Sequence, residues 1–340
     1  MSRCLLNLTP DQLRDALVAM NEKPFRAKQL LQWIYPKAAS EFEEMSNLSK
    51  PLRENLASEF TLRSATVVAE NVCADNTCKL LLEFPDGERV ETVLIPDGTR
   101  RTVCVSTQIG CAMGCAFCAS GLDGLARNLT AGEILEQVLR FHSLETPVTN
   151  VVFMGSGEPL ANYDATIQAI RILIDPAGLN LSARKITLST VGLVKGIRRL
   201  AEEDIPLTLA ISLHAPNDEL RRELLPTAAN KATIEELLDA AQEFYDARHR
   251  EITLEYTLLD GVNDSNLHAD QLANLAHQIR CNINLLSYNP VENLDFQCPN
   301  EVRFQAFANR LSQRGVNVNI RTSRGSDADA ACGQLRRRKA

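Results

Sequence analysis

Gly110-Cys111-Ala112-Met113-Gly114-Cys115-Ala116-Phe117-Cys118 comes just after an apolar, strand-like run and sets three cysteines in C-x-x-x-C-x-x-C spacing. Three thiolates are one short of what an iron–sulfur cube usually takes. A cube so held keeps one iron open, and an open iron can chelate the amino and carboxylate groups of a bound molecule. Structural zinc and free thiols are the alternatives. Zinc sites, however, close a C-x-x-C pair with a second pair or with histidines at short spacing, and no such partner stands near this loop.

The run before the loop, Thr102 to Ser106, is the first of six. Val151 to Met154, Lys185 to Ser189, Leu207 to Leu213, Ile252 to Leu258 and Ile283 to Leu286 follow, separated by stretches of helical periodicity. One helix start is explicit, because Thr130 and Glu133 stand at capping-box spacing before Ile134, Leu135 and Val138. The alternation predicts an α/β fold, a partial (β/α)6 TIM-like barrel of six units with its chemistry at the C-terminal strand ends. Upstream, three helices are expected, starting at Thr9-Pro10, at Phe25 and at Ser49, the last with Ser49 as its cap and Leu52, Leu56 and Phe60 on one face. Ala65 to Ala69, Cys78 to Phe84 and Arg89 to Ile95, with a turn at Pro85-Asp86-Gly87, read as a β-hairpin extension. The expected organisation is a helical accessory domain over 1–62, the extension over 63–96, the barrel over 97–322 and a tail over 323–340.

A chain of 340 residues, 45% of them apolar, can bury a large core. No run approaches membrane-spanning length, and Met1 to Leu8 lacks the basic-then-apolar plan of a secretory signal, which points to the cytoplasm. Ten cysteines scattered through such a chain suggest reduced thiols, metal ligands or catalysis rather than a disulfide scaffold. A net charge of -7 argues against indiscriminate coating of nucleic acid but leaves room for local contact. Arg184-Lys185, Arg321 with Arg324, and Arg336-Arg337-Arg338-Lys339 are the basic candidates, each also readable as ordinary solvated surface.

Several strand ends are polar. After the second run, Gly155 and Gly157 would let the backbone approach a ligand closely, and Glu158 can accept hydrogen bonds from an ammonium group. Ser189 ends the third run, Ser212-Leu213-His214 the fourth, and Asn289 follows the sixth. Taken singly each reads as a structural hydrogen-bonding group; falling at one rim, they suggest a polar lining. Cys104 lies inside the first strand, where a cysteine ordinarily serves as a small buried apolar residue. Cys332 sits in a tail segment rich in small residues, able to reach an active site and leave it.

The cluster loop closely resembles that of the radical S-adenosylmethionine (SAM) superfamily. There the open iron of a [4Fe-4S] cluster binds SAM and passes it one electron, and the sulfonium splits into methionine and a 5'-deoxyadenosyl radical. The resemblance implies Cys111, Cys115 and Cys118 as cluster ligands, Phe117 near the SAM adenine, and Gly157 with Glu158 at its amino group. It also implies Ser189, Ser212, Leu213, His214 and Asn289 around the ribose, carboxylate and adenine. Over nearly the whole chain, Phe25 to Gln29, Val90 to Pro96, Ser182 to Thr187, Ser212 to Asn217, Gly261 to Asp264 and Ala330 to Leu335 resemble the RlmN/Cfr radical-SAM RNA methyltransferases, and more closely the housekeeping branch.

That resemblance implies methylation of adenosine carbon 2 in 23S rRNA and in tRNA. Carbon 2 is an electron-poor amidine carbon that cannot attack a sulfonium methyl, so a radical is needed. One SAM would methylate Cys332 by displacement; a second would supply the radical that takes hydrogen from the S-methyl group, and the carbon radical would add to the ring, joining RNA to protein. Glu91 is implied as the acceptor of the ring proton, and Cys104 as the thiol that attacks the Cys332 sulfur, forming a disulfide and freeing the product. Recognition would rest on RNA backbone and an extruded base, with the N-terminal helices docking the RNA. A flavodoxin or ferredoxin as electron donor, a monomeric state and no membrane association complete the expectation. The near alternative is methylation of carbon 8, as in the resistance-type enzymes. A non-catalytic metal-cluster RNA-binding module, or a radical enzyme acting on a small molecule or peptide, would leave Cys332 without a task. Ser156 stands where the family usually carries methionine, Ala328 where it carries a bulky aliphatic residue, and Pro226 to Ala229 departs from its usual Asn-containing stretch.

Overall fold

The structure, a computed structural model, describes residues 3–325 and 329–336. Ten strands form one sheet whose spatial order follows the chain: β1 (Thr66–Val72), β2 (Cys78–Glu83), β3 (Arg89–Asp97), β4 (Arg100–Cys104), β5 (Asn150–Phe153), β6 (Ile186–Thr190), β7 (Thr208–Ser212), β8 (Ile252–Leu258), β9 (Cys281–Ser287) and β10 (Val318–Arg321). The first four pair antiparallel, and from β4 onward every pairing is parallel. Each of β4 to β9 is followed by at least one helix, so the six expected β/α units are present in an open, TIM-like partial barrel. A seventh parallel strand, β10, went unread. It is four residues long and carries Asn319 and Arg321, too short and too polar for the apolar-run criterion.

The extension also differs from expectation. It is a three-stranded meander continuous with the barrel sheet, because β3 pairs with β4 in a register that sets Val93 opposite Cys104. In β5 to β9 the positions facing the helices are fully apolar: Val151, Phe153, Leu188, Leu209, Ile211, Leu254 and Ile283 are all buried. With a period of two along each strand, Ser189, Ser212 and Glu255 then fall on the opposite, inner side.

The N-terminal helices run over Pro10–Ala19, Phe25–Ile34 and Lys50–Glu59. Thr9 closes a capping box with Gln12, with Pro10 in the first turn. Ser49 occupies the cap position of the third helix but makes no side-chain capping bond, and Phe60 has already left that helix to pair with Arg3. The seam to the barrel is a buried carboxylate: Glu136 accepts from Ser64 N and Ser64 Oγ at 2.8 Å and Ala65 N at 3.1 Å, and pairs with Arg140 at 2.6 Å. Among the described residues no helix is long and apolar enough to cross a membrane.

Candidate active site

The loop carrying Cys111, Cys115 and Cys118 is braced on three sides. A short antiparallel ribbon, Gln108–Gly110 against Leu125–Asn128, holds its base. Ala116 N donates to Leu224 O at 2.9 Å, and Ala119 N donates to Gly333 O, one residue past Cys332, at 2.8 Å. All three thiols face a cavity of about 160 Å³ that also takes in Gly157, Glu158, Ser189, Ser212 and His214. Burial raises all three thiol pKa values, Cys111 to about 11, and the neighbouring sulfurs raise Cys111 and Cys115 further. Thiols so placed hold their protons unless a cation takes the protons' place.

These residues fit the cluster and SAM that the fold implies. Among the described residues no three His, Cys, Asp or Glu side chains converge on a point where a single ion would sit. A zinc ion demands such a point, whereas three ligands of a cube each take a different iron. The cavity wall also holds an orphaned acceptor: Glu255 Oε2 is buried without a hydrogen-bond partner, while Glu255 Oε1 accepts from Asn284 at 2.9 Å. Burial raises the Glu255 carboxyl, against the pull of Arg321 at 3.8 Å. A ligand with hydroxyl or ammonium donors would satisfy it.

The rim residues divide. Ser189 Oγ and Ser212 Oγ lie 3.2 Å apart, and His214, held at φ +53°, accepts at Nδ1 from Thr257 N at 3.0 Å and meets Phe117 edge-on at 4.9 Å. Burial, assisted by Arg221, drives the His214 pKa down to about 3, so this imidazole is neutral. Glu158 accepts from Val191 N at 2.9 Å and Leu160 N at 3.0 Å, which leaves lone pairs for a ligand; burial raises its pKa. Leu213 has its side chain buried in the core, which leaves only its backbone for a ligand. Asn289 lines a second, adjoining cavity and donates to Cys332 O at 3.1 Å. The glycines of the 155–157 turn are required by the adjoining chain: a Cβ at Gly157 would lie 2.5 Å from Gln108 Cβ, and one at Gly155 would lie 2.5 Å from Ser106 Oγ.

The second cavity, of about 80 Å³, is lined by Cys104 and Asn289, and its wall is shared with the first. Cys332, Arg321 and Met154 line both. All ten cysteines are free thiols, and Cys332 is accessible through the cavities. Burial pushes Cys104 up to about 12 and raises Cys332 as well, and Arg321 opposes both shifts. Glu91 lies in neither cavity; its carboxylate is buried against Lys79 at 3.0 Å and accepts from the tail amide Arg336 N at 2.9 Å.

Sequence reasoning missed Glu255 and Met154, and took Arg321 for a surface patch. The available signal was a charged or sulfur side chain within or just beyond a barrel strand. Arg324 pairs loosely with Asp97 at 3.8 Å, while Arg184 and Lys185 are exposed as expected. Ser156 Oγ lies 3.3 Å from Ser120 Oγ, which donates to Leu335 O at 2.6 Å, so this departure from the family pattern adds a tie to the tail. Pro226–Ala229 forms a short helix. Ala328 and Arg337-Arg338-Lys339 lie outside the described residues.

Residues 105–273 match the radical SAM superfamily, and residues 4–62 match the ribosomal RNA large subunit methyltransferase N-terminal domain. The chain is 46% identical to a probable dual-specificity RNA methyltransferase RlmN of Rhodopirellula baltica, covering 98% of this chain and 91% of that one. This chain belongs to the RlmN family. A Clostridium novyi protein of the same description is 45% identical over 98% of this chain and 97% of its own. The crystal structure of a radical SAM methyltransferase from Sphaerobacter thermophilus superposes with a TM-score of 0.95 at 43% identity, covering 98% of this chain and 99% of that one. As a member of the RlmN family the chain is a SAM-dependent radical RNA methyltransferase, with a [4Fe-4S] cluster and SAM as cofactors.

Proposed function

We propose that this enzyme methylates carbon 2 of adenosine in 23S rRNA and in tRNA, with Cys332 as methyl carrier and Cys104 as the thiol that resolves the RNA adduct. The observation that carries this reading is that Cys332 lines both the cavity of the three loop cysteines and the cavity of Cys104. A sulfur in that wall can receive a methyl group on one side and be attacked by a thiol on the other. When bound, the cluster and SAM would supply the transferable methyl group, the hydrogen-abstracting radical and, on the cluster, an acceptor for the one unpaired electron left on the adduct before its ring proton is removed.

The chain's own residues do the rest. Arg321, beside both sulfurs, favours a thiolate at Cys332 and later at Cys104. Asn289 seats the tail at Cys332 O, and the Ser120 hydroxyl seats it at Leu335 O, three residues further on. Glu91 takes the ring proton on a carboxylate oxygen. The Cys104 thiolate then attacks the Cys332 sulfur: an S–S bond forms, the S–CH2 bond breaks, and the methylene carbon keeps that pair and takes a proton. The base enters from the side of Asn289 and Arg324, extruded from its helix. Residues 1–62 dock the RNA, and the enzyme works as a cytoplasmic monomer reduced by a flavodoxin or ferredoxin.

Anaerobic reconstitution with methyl-labelled SAM, followed by mass spectrometry of the tail peptide, tests the first half. Label on Cys332 is expected, and an unlabelled tail refutes it. Nuclease digestion of the product RNA and chromatography of its nucleosides should give 2-methyladenosine; 8-methyladenosine would move the enzyme to the other branch.

A further inference from the structure

One buried ion pair holds the methyl-carrier segment from both sides. Lys79 on β2 and Glu91 on β3 are 3% and 2% exposed and lie 3.0 Å apart. Lys79 Nζ also donates to Asp329 O at 3.0 Å, three residues before Cys332, and Arg336 N, four residues after it, donates to Glu91 Oε2 at 2.9 Å. No other described ion pair is buried at both ends to this degree. A charge pair taken fully out of water is costly, and here both members use it to grip backbone of the tail.

We infer that Lys79 is a positioning residue: with Glu91 it forms a latch that seats the Cys332 segment while the carboxylate is ionised and releases it when the carboxylate is neutralised. The inference rests on the reading of Cys332 as methyl carrier and Glu91 as proton acceptor. When the ring C–H bond breaks, its electron pair returns to the ring and the proton forms an O–H bond on Glu91. The carboxyl is then neutral, and the Arg336 amide loses its charged acceptor, so the grip on the C-terminal side of Cys332 weakens. The chemical step that restores the aromatic ring thereby frees the segment whose sulfur Cys104 must next reach.

Hydrogen exchange of the full-length, anaerobically reconstituted protein tests the latch without turnover. Lys79→Met and Glu91→Gln should each speed exchange over residues 329–336 roughly tenfold, the loss of one charge-assisted hydrogen bond, with the sheet peptides unchanged. Lys79→Arg should restore protection to within about twofold, because a cation is what the site requires. Tail exchange that stays at the wild-type rate in both neutral variants overturns the latch, as does exchange speeded equally throughout the sheet. With methyl-labelled SAM and RNA, Lys79→Met should form the RNA–protein adduct more slowly, because Cys332 is no longer seated, and should not accumulate it, because its segment is already free; adduct formation at the wild-type rate overturns the seating role. If wild-type Cys332 takes no label, the methyl-carrier reading fails by itself, and the exchange result still decides whether the ion pair seats the tail.

Discussion

Replacing Gly157 with alanine tests whether the SAM-side loop depends on its packing against the cluster strand. Gly157 has φ +101°, and its added Cβ would stand 2.5 Å from Gln108 Cβ, 2.7 Å from Cγ and 2.8 Å from N, where carbon contacts ordinarily settle at about 3.5–4.0 Å. The backbone conformation costs about 1–3 kcal/mol and the overlap about 1–3 more. For 340 residues the unfolding entropy is about 0.7 kcal/mol per kelvin, so melting should fall by roughly 3–8 °C. Gly87→Ala is the control, because its φ is +80° and nothing lies within 4 Å of the new Cβ. It should cost only the conformational part, about 1–2 kcal/mol. The overlap at Gly157 also pushes on Gln108, whose Oε1 accepts from Glu158 N at 2.9 Å. Loss of that bond moves Glu158, and SAM should bind about tenfold more weakly by titration calorimetry. A Gly157→Ala protein that melts within about 1 °C of Gly87→Ala and binds SAM as the wild type does would refute the reasoning.

Cys104→Ala should accumulate a covalent RNA–protein adduct, seen as a shifted band on denaturing gels, while Cys332→Ala should form neither adduct nor methylated RNA and still bind SAM. Glu136→Gln should lower stability by about 3 kcal/mol in urea denaturation, since it strips a buried acceptor of its charge against Arg140 and two backbone amides. His214 gives a pH test. Its folded pKa of about 3 lies below the ordinary 6.5, so its stabilisation is complete above pH 6.5 and is lost as pH falls toward 3. His214→Gln should therefore remove about 3 kcal/mol of the stability lost by the metal-free protein between pH 7 and 4.5; an unchanged loss would mean the imidazole is not buried neutral.

The β/α alternation, the capping boxes at Thr9 and Thr130 and the cluster loop were legible because each is a local property: a period of two or 3.6, a side chain three residues from its amide, three thiols within eight positions. Local signals fail where a residue's neighbours come from elsewhere in the chain. That the Leu213 side chain packs in the core and that Asn289 holds the Cys332 carbonyl are such facts, set by partners distant in sequence. Arg321 read as surface charge, because only the approach of the tail to the end of β10 sets a guanidinium beside two thiols.

The sequence by itself determined the chemistry available: three thiols spaced for a cluster, and two more cysteines with no local partner. Tertiary structure decided how those thiols are used. Cys104 and Cys332 are more than two hundred positions apart, as are Lys79 and the tail carbonyl it holds, so no periodicity or motif could relate them. The cost of closing so long a loop is met by burial across the sheet, and where that burial sets the tail down is a property of the packed whole.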